Sequence, residues 1–241
     1  MKRTLGLTLL LFATLFSCMR QEKPLPAELS RAESVMWEHP DSALSILRSM
    51  PQSSLSIGKN YATWALLLAQ ARDKVYGKRL PDSLNIPSSD KLVQDAMDYF
   101  EKEGDLKRMA QTYYYKGQLL KDQKKITEAM PFFLKSKEMM TKLDEPLFTY
   151  LICQSLGNMY RYQDLYEESL VQLKDAYQYA LRSGNGERIS YALSELGRTY
   201  VHKNEMDSAL FYFGKSLDNA QRLGNIELEA MAMGELGVVY N

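Results

Sequence analysis

A chain of 241 residues that is 45% hydrophobic and 25% charged is apolar enough to bury a core and too interrupted by charge to be a polytopic membrane protein. Its 30 Lys and Arg balance 30 Asp and Glu, so there is no basic surplus for a phosphate backbone and nucleic acid is not an expected partner. Thirteen Gly and eight Pro mark few turns and favour long helices over many short strands, so the expected class is all-α.

Lys2 and Arg3 precede an uncharged apolar run of twelve residues, Leu5 to Phe16. A helix needs roughly 20 residues to span a bilayer, so this run has the length of a signal-peptide core and not of an anchor. Leu15-Phe16-Ser17-Cys18 resembles the lipobox of bacterial lipoproteins. The resemblance implies cleavage after residue 17 and acylation of Cys18, palmitate included. It also implies a cell-envelope address, membrane-anchored and facing the periplasm. Loss of residues 1–17 leaves 28 basic against 30 acidic residues, a net charge of −2. Two or more acyl chains, at about 0.8 kcal/mol per buried CH₂, hold a soluble body to a membrane without protein insertion. Residues 18–26, with Pro24 and Pro26 and no apolar periodicity, read as a tether.

The folded part is expected over 27–241. Residues 39–50, HPDSALSILRSM, have the pattern of a helix with a small residue, Ala43, four before a large one, Leu47. Trp64 to Lys74 reads as a long helix and Asp90 to Asp105 as its partner, with Ala96 and Phe100 at the same spacing. Between them, Val75 to Ser89 holds Pro81 and Pro87 and exceeds the usual connection; it reads as drift rather than a functional loop.

From residue 107 a period of 40 is plain. Gly117, Gly157, Gly197 and Gly237 are followed three residues on by Leu120, Tyr160, Tyr200 and Tyr240. Twelve after the glycines stand Ala129, Ser169 and Ala209; four further, Phe133, Leu173 and Phe213; three beyond those, Ser136, Ala176 and Ser216. Each unit reads as two amphipathic helices, with polar turns such as Gln163-Asp164 and Lys203-Asn204-Glu205. The small residues allow close approach and the large ones fill the spaces beside them. Ala209 is therefore expected at a tight crossing and Lys203 in solvent, while Gly184 and Gly224 suit left-handed helix ends. The approximate units are 27–50, 60–105, 107–145, 147–185 and 187–225, with an incomplete one at 226–241. Met231, Met233, Leu236, Val238 and Val239 are too many apolar residues for one buried side of that last helix, so either a fragment that ends early or a neighbour bound there is expected.

The pattern in SELGRTYVHKNEMDSALFYFGKSL, Ser194 to Leu217, resembles the tetratricopeptide repeat, clearly over 107–241 and more loosely upstream. The period of 40, against the usual 34, is similar to the longer-helix variants of that family. The resemblance implies a right-handed superhelical solenoid whose first helices line a concave groove for a protein or peptide. It places Gln118, Asn158 and Arg198 in that groove, with Lys121 and Arg161 three residues further along. Amides can bond a peptide backbone and Arg can fork onto a carboxylate, so an extended segment with an acidic group is the expected ligand. Tyr113-Tyr114-Tyr115 point to different sides of one helix, which predicts at least one exposed; Tyr114 joins the groove set. Tyr160, Tyr200 and Tyr240 read as packing, and Cys153 as a buried inert thiol. His39 and His202 show no metal-ligand spacing, and no phosphate loop or nucleophile elbow occurs, so neither metal, cofactor nor catalysis is expected. The alternative to a lipid-anchored scaffold is the input region of a longer signalling protein. Nothing in the residues argues for carbohydrate binding.

Overall fold

The computed structural model describes residues 24–51, 55, 58–76 and 89–240. The signal-peptide and Cys18 assignments, and Pro81 and Pro87, lie outside them. The described residues form eleven helices and no strand: α1 (Ala27–Val35), α2 (Pro40–Ser49), α3 (Lys59–Tyr76), α4 (Ser89–Glu103), α5 (Leu106–Asp122), α6 (Ile126–Lys142), α7 (Pro146–Arg161), α8 (Tyr166–Ser183), α9 (Gly186–His202), α10 (Met206–Leu223) and α11 (Ile226–Tyr240). None of them is long and apolar enough to cross a membrane.

Each helix packs on the next in sequence, and the odd-numbered helices also meet one another: α1 with α3, α3 with α5, α7 with α9, α9 with α11. No two even-numbered helices come comparably close. The solenoid therefore curves with its odd-numbered first helices inside.

Glycine sets the spacing within a unit. A Cβ at Gly117 would stand 3.0 Å from the Phe133 ring, at Gly157 2.6 Å from Leu173, and at Gly197 2.4 Å from Phe213. The large residue that lies sixteen positions after each glycine thus occupies the volume of the missing side chain. Ala129, Ser169 and Ala209 are fully buried at the adjoining crossings. Ser136 and Ser216 donate to the Ala110 and Ser190 carbonyls of the partner helix at 2.7 and 3.1 Å, so the one polar group at that position is satisfied.

A second regularity has half the period. Residues with φ between +55° and +76° recur every twenty positions at Gly104, Lys124, Asp144, Asp164, Gly184, Asn204 and Gly224. After most of them the next N–H bonds back five residues, as from Lys125 to Leu120 and from Glu205 to Tyr200, closing the last turn in the Schellman manner. Asp105, Asn185 and Asn225 then start the following helices by accepting from Arg108, Arg188 and Leu228 N–H groups.

Several expectations are corrected. Helix α3 begins at Lys59, ahead of Trp64, because Tyr61 packs on Trp64 at 5.7 Å and donates to Asp95 at 2.7 Å, giving the polar first turn a tertiary hold. All three of Tyr113, Tyr114 and Tyr115 are buried, since α5 has neighbours on each side. Tyr113 packs on Phe132 and donates to Glu101; Tyr114 lies between Phe133 and Phe148; Tyr115 faces α3 and α4. Tyr160 and Tyr200 are half-buried, but Tyr240, in the same register, is 75% exposed because no later helix covers it among the described residues. Lys203 is held between Glu167 and Glu205 at 2.7 and 2.8 Å instead of facing open solvent.

An L-residue in the left-handed region costs about 1–2 kcal/mol, which glycine avoids. Lys124→Gly is expected to raise stability by about 1 kcal/mol and Gly184→Ala to lower it by a similar amount in urea unfolding.

Candidate binding groove

The inner face is built by the odd-numbered helices, and the candidate groove residues fall on it in two linked groups. On α5, Gln118 donates from Nε2 to the Tyr114 hydroxyl at 2.8 Å and accepts from Lys121 Nζ. On α7 and α9, Arg161 donates from Nη1 to Glu195 Oε2 at 2.7 Å, and Arg198 donates to the other oxygen of the same carboxylate at 2.9 Å. Arg198 also pairs with Glu235 of α11 at 2.5 Å. Asn158, on α7 between the groups, is partly exposed, yet its Oδ1 is buried and has no hydrogen-bond partner among the described residues.

Arg161 is therefore a correction. It is 8% exposed, with a further bond to the Glu195 carbonyl, and does not stand free in the groove. Both arginines do fork onto carboxylates, but the carboxylates belong to the chain. An acidic ligand group would find Arg161 enclosed and Arg198, though 40% exposed, already shared between Glu195 and Glu235. The alternation Arg161, Glu195, Arg198, Glu235 crosses three successive first helices and bonds them side to side. Sequence reading missed its acidic half, although Glu195 and Glu235 each stand two residues before a repeat glycine, 40 apart. At the same position in α7 stands Ser155 instead, beside the Tyr114 hydroxyl. A cavity of about 290 Å³ opens beside the ladder, lined by Arg161, Arg198, His202, Phe213, Glu235 and Val238.

The other end of the groove is aromatic and was not foreseen. Trp37, in the turn after α1, meets Phe148 of α7 edge-on at 5.4 Å, and Phe148 meets Tyr114 at 6.0 Å. Lys74 of α3 caps the Trp37 ring at 3.4 Å, a cation–π contact. Burial, reinforced by the Arg188 charge, pulls Lys74 down to about 8. Burial likewise raises the neighbouring Asp73 carboxyl, against the Lys121 charge that lowers it. Burial also raises the Tyr114 hydroxyl, with Asp73 adding to the effect, so Tyr114 stays protonated as a donor and acceptor. A second cavity of about 250 Å³, between α3, α4 and α5, is lined by Arg72, Asp73, Tyr115, Gln118, Asp122 and Gln123. Cys153 is fully buried and its thiol is raised to about 11 by that burial, out of the range of a thiolate nucleophile at neutral pH.

No family model matches the sequence, and no curated protein matches it. Solved structures do. The chain is similar to a signal-transduction ATPase with a tetratricopeptide-repeat sensor from Pyrococcus horikoshii, at 18% identity and a TM-score of 0.69 over 89% of this chain. It spans 32% of that protein's length. It is similar to the apo form of RapI, at 16% identity and a TM-score of 0.69, covering 89% of this chain and 76% of that one. It is also similar to aspartyl phosphate phosphatase F from Bacillus subtilis, at 15% identity and a TM-score of 0.68, covering 88% and 54%. These likenesses establish the fold as a tetratricopeptide-like helical solenoid.

The Arg161–Glu195 pair is shielded on both sides, at 8% and 10% side-chain exposure. Removing one partner of such a pair strands the other, so Glu195→Ala is expected to cost about 3–5 kcal/mol. Glu167→Ala, which breaks the exposed pair with Lys203, is expected to cost under about 1 kcal/mol. Urea unfolding of the two variants compares them directly.

Proposed function

We propose that this chain is a lipid-anchored scaffold of the bacterial cell envelope, held at Cys18 and facing the periplasm, that binds an extended protein segment along its inner face. The observation that carries the binding reading is the Asn158 carboxamide, whose buried oxygen has no hydrogen-bond partner among the described residues although the residue reaches the surface. A buried acceptor left unmet costs about 1–3 kcal/mol, which a backbone N–H of a bound segment would recover once the carboxamide turns its oxygen to the surface. Gln118, one unit earlier in the same register, carries a second carboxamide, whose Nε2 and Oε1 are engaged by Tyr114 and Lys121. The half-buried Trp37 ring, set edge-on against Phe148, offers apolar surface beside them. With Arg161 and Arg198 taken up by Glu195 and Glu235, recognition in this reading rests on backbone and apolar contact, with charge attraction playing little part. The anchor rests on the basic start, the twelve-residue apolar run and the Leu-Phe-Ser-Cys exit. The likeness to a tetratricopeptide-repeat sensor favours a second reading, in which the same groove is the input part of a longer signalling chain.

One crosslinking capture from envelope membranes tests both halves, using the wild type, Cys18→Ser and the double variant Gln118→Ala, Asn158→Ala. Cys18→Ser is expected to move the protein from the detergent phase to the aqueous phase. The double variant is expected to keep its helical circular dichroism and detergent partitioning while capture of the partner falls at least about tenfold, equivalent to 1.4 kcal/mol. Unchanged capture would overturn the groove, and unchanged partitioning of Cys18→Ser would overturn the anchor.

A further inference from the structure

The seam between α5 and α7 is the most open on the inner face, for these two helices come less close than the other neighbouring first helices. Aromatic side chains fill it: Trp37 lies against Phe148, and Phe148 against Tyr114. Two cations reach this seam from the flanking helices. Lys74 of α3 sits 3.4 Å above the Trp37 ring, and Arg188 of α9 lies over the Tyr150 ring of α7 at 5.6 Å. Both are half-buried and still reach solvent. The Arg188 charge acts on Lys74 and on the Tyr114 hydroxyl alike, so the two cations share one neighbourhood.

Charge attraction is cancelled within the ladder and left over at this seam. Among the described residues neither Lys74 nor Arg188 forms an ion pair, unlike Arg161 and Arg198. Asp73 is the acid whose charge acts on Lys74, and Lys121 draws on it as well, with Asp122 beside them. Burial pushes the Tyr150 hydroxyl up to about 12 against the Arg188 charge and raises that of Tyr114, so both stay protonated and add no negative charge. Lys74, Lys121 and Arg188 thus stand against Asp73 and Asp122, an excess of one positive charge. Like charges held near each other out of bulk water repel, and an anion between them relieves the repulsion. The Trp37 and Tyr150 rings fix where the two cations stand. An oxyanion has oxygens for both, a point contact from the ammonium and a fork from the guanidinium. Asn158 stands ten residues from Phe148 on α7. That is about 15 Å at 1.5 Å per residue of helix, which about five extended residues span.

We propose that Lys74 and Arg188 form a site for one oxyanion over the seam between α5 and α7, filled by a carboxylate side chain of the segment bound along the inner face. The assignment rests on the groove reading and adds one charge contact to its backbone and apolar contacts.

The probes are a short acetylated and amidated peptide with one Glu among uncharged residues, a counterpart with Gln in its place, and inorganic phosphate. Each is titrated into the full chain by calorimetry at constant ionic strength. The Glu peptide is expected to bind at least about tenfold more tightly than either the Gln peptide or phosphate. Lys74→Gln and Arg188→Gln are each expected to remove that preference with helical circular dichroism unchanged, and Arg188→Lys to keep part of it. Burial and the Arg188 charge hold Lys74 down to about 8, and an arriving anion favours its protonated form. Binding of the Glu peptide at about pH 8 is therefore expected to take up part of a proton, seen as a buffer dependence of the heat that Lys74→Gln abolishes. Equal binding of the Glu and Gln peptides overturns the oxyanion site and leaves the groove reading, which needs no charge, standing. Phosphate bound as tightly as the Glu peptide overturns the assignment to a bound segment. The groove reading fails separately, if Asn158→Ala leaves the binding of both peptides unchanged.

Discussion

The structure depends on the close approach made possible where a glycine of one helix receives a large side chain from the next. Gly117 receives Phe133, Gly157 receives Leu173 and Gly197 receives Phe213, each within the distance a Cβ would require. This contact sets how near the two helices of a unit lie, and its repetition at 40 residues gives each unit the same shape. Stacked identical units must form a solenoid, because each pair leaves a face that only a neighbouring pair can bury. The first helices then converge on one side, and the inner face is a consequence of that convergence.

What occupies the inner face follows from what convergence places together. At the C-terminal end it aligns Arg161, Glu195, Arg198 and Glu235 into an alternating series that ties three first helices side to side. At the N-terminal end the curvature brings Trp37 against Phe148 and sets Lys74 over the Trp37 ring. Asn158 lies between these two regions with an acceptor that has no hydrogen-bond partner among the described residues. The candidate contact point is thus defined as much by the groups the fold has already used as by an acceptor it has left open.

Much of this was legible. The glycine register, the small and large residues that answer it, and the left-handed ends at Gly184 and Gly224 are all single-residue signals at fixed spacing, and the structure places them as the spacing predicts. The left-handed positions at Lys124, Asp144 and Asp164 were hidden because ordinary residues fill them; only the twenty-residue spacing would have exposed them. Arg161 looked like a groove donor because the Glu195 that buries it comes from the following unit. The three consecutive tyrosines looked too many to bury because a helix seen alone has an outside, whereas α5 is enclosed by α3, α4, α6 and α7. The Trp37, Lys74 and Phe148 cluster left no trace in spacing, since it depends on superhelical curvature between segments far apart in the chain.

The most direct measure of the glycine contact as the organising constraint is a double-mutant cycle at Gly197 and Phe213, read by urea unfolding. In the wild-type background Gly197→Ala is expected to cost about 1–3 kcal/mol by overpacking. With Phe213→Ala in place the added methyl has room, and Gly197→Ala should be neutral or stabilising by up to about 1 kcal/mol, the helix preference of alanine over glycine. Additive effects, with Gly197→Ala costing the same in both backgrounds, would contradict the account.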